Sequence, residues 1–206
     1  MPPKGERRKQ QIIDTAKEMF LEKGFQSTHI GQVCEKLAIA RGTVYQYFSN
    51  KKEILYAILD SVSEAIEDNL DPDDLNDFLQ NRPKNDEIIQ FIDNRIASCL
   101  TVFSEEPIVI KLIFREIPGT DDDVVNRVSD FLGKIIATLS KEITTLRDAG
   151  IFKKDISAGI TASMLIGSIM MIVYQYTITN KNYLDKKVTS KIANHYLHGV
   201  YLDIEE

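Results

Sequence analysis

Hydrophobic positions recur at intervals of three and four along almost the whole of this 206-residue chain, the spacing of one face of a helix. Ile12, Ile13, Ala16, Met19 and Phe20 form the first such stripe, and Gly24 stands where a helix end would be capped. Ser27 or Thr28 is placed to open a short second helix with Ile30, Val33 and Leu37 inward. A third runs from Arg41 to Phe48 with Val44 and Phe48 inward. Ser49 or Asn50 opens a fourth, whose apolar face is Ile54, Leu55, Ile58 and Leu59. No Asn-Gly or Asp-Gly turn separates alternating apolar runs, so strands are not expected.

Between Glu53 and Arg82 the polarity changes: eight acidic residues and no basic one, with Pro72 as a breaker. This stretch reads as a solvated connector. Beyond it the pattern predicts helical segments over 85–106, 107–117 (closed by Pro118, Gly119 and Thr120), 121–150, 155–180 and 186–204. The expected fold is all-α, with an N-terminal three-helix unit at 1–56 and a helical body at 57–206. Residues 156–180 carry no charge and are long enough to span a bilayer. Seven Ser, Thr and Gln residues interrupt that run, and a helix buried on several sides explains it more simply than a membrane.

Composition changes this picture little, and charge changes it more. An apolar content of 43% supports a real core. Cys34 and Cys99 are too few for a disulfide framework and sit in no Cys-x-x-Cys or Cys/His cluster, so a reducing, cytoplasmic setting without a metal or cofactor is expected. The start of the chain is basic and polar, not a secretory signal. Net charge is −6, but residues 1–56 hold ten Lys and Arg against six Asp and Glu, a net of +4. The body therefore carries −10. A basic head on an acidic body directs the head toward a polyanion.

Two short helices joined by a tight turn suit a helix-turn-helix, whose second helix enters the DNA major groove. Arg41 and Thr43 stand at the start of that helix, where Arg can bond guanine and a Thr methyl can meet thymine. Tyr45 and Tyr47 offer ring area with one hydroxyl each. Lys51 opens the next helix, where free N–H groups favour phosphate, and Thr28 with His29 occupies the same place one helix earlier. The run "FLEKGFQSTHIGQVCEKLAIARGTVYQYFSNKKEIL" resembles the DNA-binding domain of the tetracycline-repressor (TetR) family over about residues 8–58. The match is carried by Gly24-Phe25, Thr28, Ile30 with Val33, and "GTVYQYFSNKKEIL". Val33-Cys34 and Ala38-Ile39 replace the Ile-Ala and Gly-Val frequent in such families. The resemblance implies DNA contacts from Thr28, His29, Arg41, Gly42, Thr43, Tyr45, Tyr47 and Lys51, with Gly42 letting the backbone approach DNA.

The resemblance further implies a ligand-responsive transcriptional regulator, a repressor acting as a homodimer on double-stranded DNA with a near-palindromic operator. It also implies an effector cavity among the body helices. Phe91, Arg95, Cys99, Phe103, Phe114, Phe131, Met164, Met171 and Tyr174 are the candidate lining for a small apolar effector, since Phe and Met suit an adaptable apolar site. Arg95 is the unusual member, and a protein carboxylate is its expected partner. Gly159, Ser163 and Gly167 recur every four residues and would let another helix approach closely. With Ile192 and Tyr196 of the last helix they are the expected dimer interface, a four-helix bundle across a two-fold axis. An enzyme is the rival class, but no nucleophile triad, glycine-rich phosphate loop or HExxH occurs, and His29, His195 and His198 are scattered. A ligand-binding or adaptor protein keeping the helix-turn-helix as scaffold is the second rival.

Overall fold

The computed structural model describes residues 3–116, 121–179 and 186–200. It is all-α as expected. Its helices are α1 (Lys4–Lys23), α2 (Ile30–Leu37), α3 (Arg41–Tyr45), α4 (Lys51–Asn69), α5 (Pro72–Gln80), α6 (Asn85–Glu105), α7 (Pro107–Lys111), α8 (Asp122–Asp148), α9 (Ala158–Thr179) and α10 (Lys186–Val200). One π-helical turn, Leu112–Glu116, follows α7 directly. The residues divide into two compact units: Met1–Val62 with Glu106–Phe131, and Ser63–Glu105 with Leu132–Glu206.

The first unit is built on the expected stripes. Ile12, Ala16 and Phe20 of α1, Val44 and Phe48 around α3, and Ile54, Leu55, Ile58 and Leu59 of α4 are all buried. Phe20 and Phe25 meet edge to face, their ring centres 5.2 Å apart. Burying each such ring contributes on the order of 2–3 kcal/mol. Segment 106–131 joins this unit, which periodicity did not foresee. Ile108, Val109, Ile110 and Leu112 add buried apolar mass. Lys17 pairs with Glu106, Lys52 with Asp121 and Asp123, and Arg127 with Asp60. Lys111 Nζ donates to the Leu21 carbonyl at 2.5 Å, and Glu116 Oε2 accepts the Phe25 N–H at 2.6 Å, so the end of α1 is capped from a distant part of the chain.

Helix starts resolve in particular ways. Neither Ser27 nor Thr28 caps α2: His29 does, its N–H donating to Gln32 Oε1 at 3.0 Å. Asn50, not Ser49, caps α4, accepting from Glu53 N at 3.1 Å while Glu53 Oε2 accepts the Ser49 N–H at 2.7 Å. Regular helix in α3 stops at Tyr45, and a turn carries Gln46 and Tyr47 to Phe48. Ala38, between α2 and α3, sits at φ 52°, in the left-handed region.

The second unit corrects the acidic connector, which is helical in part. Asp71 caps α5 by accepting from Asp73 N at 3.0 Å, Pro72 takes its first position, and Asp73 and Asp74 face its positive end. Leu75 then buries against the unit's core. That core is assembled from Ile92, Ile96 and Leu100 of α6, Leu139, Ile143 and Leu146 of α8, and Leu165, Ile166 and Ile169 of α9. By length and hydropathy alone α9 is apolar enough to cross a membrane. Here one side of it is core: Ala162, Leu165, Ile166, Ile169, Met170 and Val173 are buried. The expected Pro118–Thr120 stop and the stretch beyond residue 200 lie outside the described residues.

Candidate nucleic-acid interface and body cavity

The turn that ends α1 and opens α2 fixes the head's geometry. Gly24 adopts φ 88°, its N–H bonded to Phe20 O at 3.0 Å. Thr28 is fully buried, and its hydroxyl donates to Gly24 O at 2.8 Å. Its side chain therefore locks the turn and does not face outward, contrary to the expected contact role. Lys51 is also drawn inward. Its ammonium donates to Phe25 O at 2.7 Å and Gln26 O at 2.9 Å and lies 4.6 Å from the centre of the Phe25 ring. Burial lowers its pKa, with Glu116 and Asp121 opposing. The ammonium is committed to two carbonyls of this turn, so the expected free phosphate hook is instead a brace.

The remaining candidates stand outward. His29, Arg41, Gly42 and Tyr45 are exposed, Tyr45 by 54%, and Thr43 and Tyr47 are half-buried. Val44 and Phe48 anchor the same short stretch from below. A Cβ on Gly42 would meet nothing within 4 Å, so no neighbour within the chain demands a glycine there. A Cβ on Gly31 would come 2.9 Å from Arg41 Nη2, so α2 carries a gap on which the guanidinium rests. The Tyr47 hydroxyl would lie 3.8 Å from a Cβ on Gly5, which brings the start of α1 beside the α3 turn. Lys4, Arg7 and Lys9 are exposed there, and Arg8 is half-buried. Sequence reasoning counted these four in the basic head without placing them near Tyr47. The glycine in "KGERRK" was the available signal.

In the body, Arg95 and Cys99 alone of the nine expected residues line a small apolar cavity of about 30 Å³. Phe103 is core, and Phe91 stacks on Phe78 at 4.3 Å beside an open groove. Phe114 and Phe131 belong to the first unit. Met164 and Met171 are 63% and 43% exposed, on the side of α9 opposite its core residues, and Tyr174 is half-buried outside the lining. A helix apolar all round gives no moment from which to choose its inner face.

Glu142 and Tyr196 were missed as cavity residues. Glu142 is 8% exposed, and burial pushes its pKa up to about 7 against the pull of Arg95. Arg95 donates to the carbonyls of Asn69 and Asp71, lies 3.8 Å from Asp74 and 3.6 Å from Glu142 Oε1, and covers the Phe91 ring at 4.8 Å. It has protein partners, as expected. Burial pushes the Cys99 thiol up to about 12. Gly159, Ser163 and Gly167 are exposed beside Ile160 and Met164, while Ile192 is half-buried. Tyr196 departs from the expected interface role, because its hydroxyl is buried at the cavity near the Leu165 backbone. His198 and Val200 lie outside the described side chains. Among the described residues no group of three metal-binding side chains comes together.

A buried-anchor, outward-facing second helix of this kind defines a helix-turn-helix DNA-binding protein. Residues 12–58 match the family described as "Bacterial regulatory proteins, tetR family". Over these residues the chain is similar to that family of transcriptional regulators. It is 19% identical over 191 residues to a fatty acid metabolism regulator protein of Bacillus subtilis, covering 93% of this chain and 94% of that one. It is 37% identical over 68 residues to the HTH-type transcriptional regulator SrpR of Pseudomonas putida, 33% of this chain and 32% of that one. Its fold is shared with the transcriptional regulator FadR from Bacillus subtilis in complex with stearoyl-CoA, at 17% identity and TM-score 0.73, over 93% and 99% of the two chains.

Proposed function

We propose that this regulator is a cytoplasmic homodimeric repressor, not an enzyme, that binds a near-palindromic operator and leaves it when a small, largely apolar effector binds the body. Residues 1–56 read DNA, and residues 57–206 bind effector and pair the chains. The observation that carries the reading is the α3 stretch, where Arg41, Gly42 and Tyr45 are exposed above the buried anchors Val44 and Phe48. Arg41 makes no salt bridge among the described residues and is chemically suited to guanine. His29, Thr43 and Tyr47 flank it, and Lys4, Arg7 and Lys9 supply phosphate charge that Lys51 and Thr28 do not. The exposed α9 face, with Ile160 at 64% and Met164 at 63%, supports pairing of two chains. Two reader helices then meet half-sites about 34–36 Å apart, or a multiple of one turn. The stearoyl-CoA complex of the FadR relative supports an effector with an apolar part.

The test is selection from a random DNA pool followed by electrophoretic shifts. An inverted repeat should emerge, and Tyr45→Ala should weaken its binding at least tenfold while melting as the parent does. A pool that yields no enriched sequence, or a Tyr45→Ala protein that binds unchanged, overturns the assignment.

A further inference from the structure

The second unit holds a polar constellation that DNA binding does not use. The cavity of about 30 Å³ is walled mostly by aliphatic side chains, yet Glu142, Arg95 and Tyr196 reach it. Glu142 is more than nine-tenths buried, and its Oε2 has no hydrogen-bond partner within the protein. The buried Tyr196 hydroxyl lies near the Leu165 backbone but makes no hydrogen bond of proper geometry. Arg95 Nε stands 3.6 Å from Glu142 Oε1, too long for a hydrogen bond, and is likewise unpaired. Leu70 and Glu142 also line a larger cleft of about 300 Å³ with Leu75, Thr138 and Thr145. Glu142 thus lines both the small cavity and the larger cleft.

Buried polar atoms are normally paired, and an unpaired set facing a cavity marks a place for a partner. We propose that cavity and cleft together form a ligand site, and that its ligand is a compact apolar molecule carrying a neutral donor–acceptor head, a hydroxyl or a primary amide. The inference rests on the effector-responsive reading above and narrows it to a class. Oε2 of Glu142 presents lone pairs, and the Tyr196 hydroxyl both gives and accepts a proton, so one head that donates and accepts satisfies both. A carboxylate head would meet the Glu142 carboxylate at the same place, and the cation there, the Arg95 guanidinium, is already shared among Asn69 O, Asp71 O, Asp74 and Glu142. An ammonium head would meet that same guanidinium. The smaller space, of about 30 Å³, has room for one or two heavy atoms, which suits a head and leaves the apolar part to the larger cleft.

The experiment is titration calorimetry of the full chain without DNA at pH 8, using octan-1-ol, octanamide, octanoate and octylamine. The alcohol and the amide should bind, the two ions at least tenfold more weakly. Tyr196→Phe should weaken octan-1-ol binding about tenfold while melting no lower than the parent. The proposal is overturned if either ion binds as tightly as the alcohol, if neither neutral probe binds, or if Tyr196→Phe binds as the parent does. Gel shifts with the selected operator then separate the two readings. A neutral probe that binds through Tyr196 without releasing DNA leaves the site standing and removes its regulatory role. A compound that releases DNA from the Tyr196→Phe protein at unchanged concentration sinks the site and leaves the regulator.

Discussion

At the scale of single residues, burial decides what a charged side chain is for. Glu142 is held near neutrality, with a pKa of about 7 against 4.5 for the free group. Between those two values the unfolded chain has lost the proton that the native chain still holds. Native stability therefore falls as pH rises through that window. Glu142→Gln removes this liability. The variant should match the parent near pH 5 and exceed it by roughly 1–3 kcal/mol at pH 8, measured by urea unfolding at both values. A parent more stable than the variant at pH 8 would mean that attraction to Arg95 outweighs burial. Lys51 presents the opposite case, a cation expected at a phosphate but bonded to two carbonyls. Lys51→Met should cost about 1–2 kcal/mol, a lower urea midpoint with unchanged slope. An unmoved midpoint with lost operator binding would return this lysine to the DNA surface.

At the scale of elements, the turn between α2 and α3 carries strain. Ala38 replaces the glycine frequent in TetR-like sequences, and its φ of 52° costs a residue with a Cβ roughly 1 kcal/mol. Ala38→Gly should raise stability by about 0.5–1 kcal/mol, read as a higher melting temperature. A lower one would show that the Cβ packs usefully. Legibility from sequence follows the same physics. The stripes of α1 and α4 were plain because one face is apolar and the other charged, and Val44 with Phe48 placed α3. The acidic α5 was hidden because charge masked Leu75 as its single buried anchor. The grip of Lys111 and Glu116 on the end of α1 was invisible because it joins residues about ninety apart. Among the contact candidates, Arg41 and Tyr45 were readable from type and position. Thr28 was misread because a buried threonine bonding its own backbone looks the same in sequence as an exposed one. Glu142 was passed over because a carboxylate at a helical core position reads as a surface residue until its surroundings are known.

At the scale of the whole molecule, the proposed repressor must present two heads to one duplex, and the exposed side of α9 is the face proposed to join them. Ile160 and Met164 lie there beside Gly159, Ser163 and Gly167, and a Cβ on either glycine would meet nothing within the chain. An apolar stripe with small residues has no role in the protomer's own core, but it allows close approach of a second helix. Met164→Lys places a charge on that stripe without touching the buried Leu165, Ile166 or Ile169. The variant should keep the parent's helical content yet sediment as a monomer at micromolar concentration. Its operator affinity should fall by orders of magnitude, because one head alone contacts half the phosphates and half the bases. The salt dependence separates this from damage to the head: the slope of log affinity against log salt, about 0.9 per phosphate neutralised, should drop to near half the parent's. A Met164→Lys protein that remains a dimer would exclude this face as the seam between chains, whatever the state of its DNA binding.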